Sequence, residues 1–64
     1  MLELRFNCIC IKEFPEFDMK RGMILAGLAT IYADGTTTFI VEFTDGTSLK
    51  CVQEWFADHF KIIE

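Results

Sequence analysis

Thr37-Thr38-Phe39-Ile40-Val41-Glu42-Phe43-Thr44-Asp45-Gly46-Thr47-Ser48-Leu49-Lys50-Cys51-Val52 is the stretch that decides the fold. Its first half alternates, with Phe39, Val41 and Phe43 to one side of an extended chain and Ile40 and Glu42 to the other. Successive side chains of a strand point to opposite faces, so this is the pattern of a half-buried β-strand. The second half repeats it, with Leu49 and Cys51 set against Ser48, Lys50 and Val52. Between them lies Asp45-Gly46, where glycine supplies the positive φ that reverses a chain at no steric cost. The stretch therefore predicts a hairpin, Thr37 to Thr44 paired with Thr47 to Val52.

Upstream, Met23 to Ala33 is β-branched or aromatic in its second half and stops at another Asp-Gly pair, Asp34-Gly35, which predicts a further strand and turn. Gly27 within it predicts a bend or bulge at a barrel corner. Leu2, Leu4, Phe6, Cys8 and Cys10 alternate with Glu3, Arg5, Asn7 and Ile9, giving a first strand from Leu2 to about Ile11. Lys12 to Gly22 holds the only proline and no steady period, and reads as a loop pinned by Phe14 and Phe17. Downstream the period changes: Val52, Phe56, Phe60 and Ile63 fall at roughly helical spacing. They predict a core stripe on a short helix or turn over Gln53 to Phe60, followed by a last strand from Lys61 to Ile63.

Sixty-four residues leave room for one small domain, residues 1–64, and a composition 52% hydrophobic with seven Phe gives it the means to build a core. Five short strands, a long first loop and two tight turns predict a mainly β fold, a small five-stranded antiparallel barrel with a short C-terminal helical turn. The order and spacing of five pieces, Cys10-Ile11, Phe14 to Phe17, Lys20-Arg21-Gly22, Asp45-Gly46 and Trp55-Phe56, resemble the small Src-homology-3-like (SH3-like) barrel proteins of bacteriophages and prophages. The resemblance covers nearly the whole chain. Met23 to Ala29 is more apolar than the usual second strand, and Trp55 to Phe60 is longer than the usual single turn. What the resemblance implies is a phage-encoded accessory protein rather than any particular reaction. Together with the small size, the acidity and the missing catalytic groups, it points to a non-enzymatic protein-binding module that binds and inhibits or redirects a bacterial host protein, a defence enzyme included.

Six basic residues against ten acidic ones give a net charge of −4, which repels a phosphate backbone and makes nucleic acid an unfavoured partner. A nucleic-acid-binding barrel would have to use Lys12, Lys20, Arg21 and Lys50 as a local basic patch. The longest apolar run, Met23 to Ala29, is too short to cross a bilayer, so a cytoplasmic protein with no membrane is expected, and the resemblance implies that the cytoplasm is that of a bacterial host. The run's outer face is nevertheless suited to self-association, the basis for expecting a homodimer through that segment. The three cysteines, Cys8, Cys10 and Cys51, read as reduced apolar side chains. A Cys3His metal set with His59 would need cysteine spacing that Cys8-Ile9-Cys10 does not have.

No cofactor and no catalytic residue is expected: the chain holds a single His, with no phosphate-binding loop or nucleophile motif around it. The candidate surface is aromatic. Trp55 stands off the core stripe with His59 four residues on, so a helical turn stacks the two on one face beside Glu54 and Asp58. Phe14, Phe17 and Met19 in the first loop form a second candidate, one Phe turned inward leaving the other for a partner. The expected partner-binding residues are thus Trp55, His59, Phe14, Phe17 and Met19.

Overall fold

The computed structural model describes residues 1–63. The chain forms five strands in one antiparallel sheet: β1 (Leu2–Cys10), β2 (Ile24–Ile31), β3 (Thr37–Glu42), β4 (Ser48–Val52) and β5 (Phe60–Ile62), in the order β4-β3-β2-β1-β5. A single turn of 3-10 helix (Pro15–Phe17) sits in the first loop, and helix α1 (Gln53–His59) carries the chain from β4 to β5. The fold is mainly β, a sheet curled into a half-barrel whose two margins, β4 and β5, are bridged by α1.

Register decides which face is core. Phe6 pairs with Gly27, Gly27 with Val41 and Val41 with Leu49, while Ala29 pairs with Phe39 and Phe39 with Cys51. These residues share the concave face, and Val41, Phe39 and Ala29 are buried there with Cys8, Cys10 and Leu25. Phe56 from α1 and Phe60 from β5 close the core from the open side, Phe56 stacking on Phe39 at 4.3 Å between ring centroids. The convex row reads Arg5, Leu28, Ile40, Lys50.

Both Asp-Gly turns have the same build. Gly35 N–H donates to the Tyr32 carbonyl and Gly46 N–H to the Phe43 carbonyl, while Tyr32 and Phe43 N–H close each loop on the carbonyls of Thr36 and Thr47. The glycines, at φ 90° and 92°, follow the turn rather than centre it. This is the three-residue hairpin with a left-handed glycine last, whose twist suits the strands it joins. In each turn the Asp Oδ1 accepts both the backbone N–H and the hydroxyl of the Thr two residues on.

The core differs from the sequence expectation in three places. Val52 is 64% exposed and Ile63 is exposed too. Val52 belongs to the convex face of β4 and Ile63 lies past β5, so only Phe56 and Phe60 of the expected stripe are buried. Leu2 and Leu4 lie on the concave face, but α1 packs on β3, β4 and β5 and leaves that end of β1 about half exposed. Gly27 makes no bulge, because pairing runs unbroken through it on both sides. Its missing side chain instead makes room for the Phe6 ring, which occupies the space a Cβ would take.

Candidate functional site

The first loop is short of regular structure yet firmly tied. Phe14 and Met19 form an antiparallel bridge with N–H to carbonyl bonds of 3.1 and 3.2 Å in both directions. Inside it, Pro15 starts the 3-10 turn, where its fixed φ and missing N–H cost nothing. Asp18 ends the turn in the left-handed region at φ 54°. Met19, 1% exposed, anchors the loop in the core. At the loop's start, Lys12 Nζ lies 2.9 Å from Asp58 Oδ2 on α1. That hydrogen bond and the Lys12 charge hold the Asp58 carboxyl below the usual carboxylate range.

So tied, the loop lays its rings against the helix. Phe14 is half-buried and meets Trp55 edge to face at 5.4 Å and His59 at 5.7 Å. Phe17 stacks on the outer side of Phe14 at 5.2 Å and stays 45% exposed. Trp55 and His59 stack at 3.8 Å and 15°, as their spacing of four on one helix allows. His59 Nδ1 lies 2.9 Å from the Trp55 carbonyl, which can only accept, so Nδ1 carries the proton in this bond and fixes the ring against the indole.

Four of the five residues singled out in the sequence, Phe14, Phe17, Trp55 and His59, therefore meet in one aromatic cluster. Their exposures differ. His59 is 6% exposed and Met19 is buried, so both lie beneath the surface that the other rings form. Phe17, with the edges of Phe14 and Trp55, supplies the reachable part.

The cluster is one wall of a groove of about 290 Å³ lined by Phe14, Phe17, Leu49, Lys50, Cys51, Val52 and Trp55. The opposite wall is β4, four consecutive residues of it. The sequence did not mark β4 as part of a site, because its alternation spoke only of core and solvent; its place at the sheet margin comes from topology. Pockets for whole small molecules run from about 300 to 1,000 Å³, so this open groove stands at their lower limit and has room for one or two side chains. Lys50 is its one charged residue.

The remaining sequence candidates are placed elsewhere. Burial, with the neighbouring Cys10 and Cys51 thiols, pushes the Cys8 thiol up to about 11, and burial raises Cys51 as well. Burial thus favours the thiol form at both, the reverse of the thiolate a nucleophile requires. Among the described residues no three His, Cys, Asp or Glu side chains gather as a metal site. Of the four basic residues considered for nucleic acid, Lys12 is neutralised by Asp58. The Met23–Ala29 segment runs into the middle of the sheet, paired with β1 from Ile24 and with β3 from Ala26, with Leu25 and Ala29 in the core and Ile24 and Ala26 exposed on the convex face. Among the described residues no helix is long and apolar enough to cross a membrane. Compared with protein-family models, with curated proteins and with solved structures, the chain finds no match.

Proposed function

We propose that the chain is a non-enzymatic protein-binding module whose contact surface is the groove between the Phe14–Phe17–Trp55 cluster and β4. The observation that carries this reading is Phe17. It is 45% exposed, it rests on other aromatic rings rather than in the core, and the loop beneath it is closed by its own backbone bridge. A large apolar ring held rigidly at a groove mouth costs little ordering entropy when a partner covers it, and such rings carry a large share of interface energy. The acidic residues of the loop, Glu13, Glu16 and Asp18, provide the polar rim that such interfaces show. The likeness to phage barrel proteins supports a bacterial host protein as the partner, bound so as to inhibit or redirect it, a host defence protein among them.

The test is affinity capture from bacterial lysate with the wild type, Phe17→Ala and Tyr32→Ala. Both substituted residues are exposed, and Tyr32 lies at the β2–β3 turn away from the groove. A partner retained by wild type and Tyr32→Ala, and weakened about tenfold by Phe17→Ala, is the expected result. A partner held equally by all three variants, or no partner at micromolar protein, would sink the reading.

A further inference from the structure

β4 is a margin of the sheet: among the described residues it pairs with β3 and with no other strand. In an antiparallel ladder, residues alternate between those that exchange both backbone bonds with the neighbour and those whose N–H and C=O face the other way. The phase is set by the Phe43 N–H to Thr47 carbonyl bond of 2.8 Å at the hairpin's end. Counting by twos, Val41 with Leu49 and Phe39 with Cys51 are the bonded pairs. Ser48, Lys50 and Val52 are then left with their backbone groups directed away from β3. Among the described residues no loop or turn bond engages Ser48 or Lys50, while Val52, the N-cap of α1, keeps its N–H free and gives its carbonyl to the first turn of the helix. They face the side on which the apolar groove runs.

We propose that the groove binds its partner by strand addition, an extended segment pairing with the free edge of β4, with an acidic residue opposite Lys50 and apolar residues on either side of that acid. This rests on the protein-binding reading and gives its partner a chemistry. The pattern follows from the pleat. Lys50 lies on the convex face in register with Ile40 and Leu28. A residue set opposite Lys50 on an added strand points to that same face, where a carboxylate meets the one charge the groove holds. The residues before and after it point to the concave side, beside Leu49 and Cys51, and fill the space below Phe14, Phe17 and Trp55. Backbone bonds supply affinity, and the alternate side chains supply choice. The orientation of side chains does not depend on whether the added strand runs parallel or antiparallel, so the same apolar–acidic–apolar pattern holds for both.

The probe is a displayed library of random dodecapeptides, selected separately against the wild type and against Lys50→Glu, an exposed position where the swap leaves the core untouched. Wild type is expected to enrich an apolar–acidic–apolar pattern and Lys50→Glu an apolar–basic–apolar one, each preferring its own peptide by about fivefold in a fluorescence titration. With the wild-type peptide bound, amide exchange at Lys50 and Val52 is expected to slow at least tenfold while Leu49 and Cys51, already bonded to β3, change little. Peptides that shift the Phe14, Phe17 and Trp55 resonances but leave the Lys50 and Val52 amides unprotected overturn strand addition and leave groove binding standing. Selection of the same charge pattern by both proteins also overturns it, as does a library that yields no peptide. The Phe17→Ala capture experiment decides the broader reading separately.

Discussion

Gly27 and Phe6 face each other across β1 and β2, and they work as a pair. The Phe6 ring lies across Gly27 and meets Phe56 at 5.4 Å and Phe39 at 6.0 Å, both edge to face. A methyl group at position 27 would force the ring off those neighbours, with the Ile40 carbonyl behind it leaving no other way to yield. Gly27→Ala is therefore expected to destabilise by about 1–3 kcal/mol, the range for overpacking, although alanine is the better strand residue. Phe6→Leu in the same background should recover part of the loss; denaturant midpoints of the single and double variants check it. Cys8 makes a second residue-scale point. Its thiol is fully buried and titrates at about 11 instead of the ordinary 9.0. The folded value is the higher one, so the stabilisation is complete below about pH 9 and is lost as pH rises toward 11. At roughly 1.4 kcal/mol per unit this amounts to about 2 kcal/mol by pH 11. Guanidinium midpoints at pH 8 and pH 11 are expected to show that loss in wild type and a smaller one in Cys8→Ala.

At the scale of elements, the two hairpin turns are the part of the fold that the sequence states most directly. Gly35 and Gly46 stand at φ 90° and 92° with open space where a Cβ would sit, so Gly46→Ala meets backbone strain alone and should cost about 1–2 kcal/mol in thermal unfolding. The two aspartates are both held below the usual carboxylate range by the following threonine, but differently: the Thr47 hydroxyl leads at Asp45, whereas the Thr36 backbone N–H leads at Asp34. Thr47→Val is expected to raise the Asp45 titration, followed by carboxyl NMR, more than Thr36→Val raises that of Asp34. Equal shifts would contradict this assignment. The turns could be read because a single dipeptide determines them, and the strands because one buried face imposes a period of two. Val52 and Ile63 were misplaced because a helical period, correct for Phe56 and Phe60, does not extend into the strand on either side of a helix of seven residues. Met19 could not be recognised as an anchor, since a loop without a period gives no sign of which side chain points inward. Phe14, Phe17, Trp55 and His59 stood out as aromatic residues, but their meeting depends on α1 returning across the concave face, a long-range contact that no local pattern carries.

For the whole molecule, the decisive feature is that the half-barrel stays open along β4, and an open edge invites pairing with any strand, including another copy of the same one. Self-pairing in antiparallel fashion has one register that uses all five residues of both β4 strands, the one centred on residue 50. That register sets Lys50 directly against its own copy, and like charges facing each other across a pair are destabilising. The chain's net charge of −4 adds a general repulsion between copies. Lys50 thus serves two ends at once: it discourages β4 from joining β4 and favours a strand that brings a carboxylate. Replacing it with an apolar β-former removes the obstacle while keeping the backbone edge. Lys50→Val, flanked by the exposed Val52, is expected to raise the weight-average mass in sedimentation or light scattering toward that of a dimer at concentrations where the wild type shows a lower mass. Val52→Lys in the same background should bring the mass down again by restoring a charge to the edge. Equal masses for wild type and Lys50→Val across a hundredfold range of concentration would show that something other than Lys50 keeps the edge free.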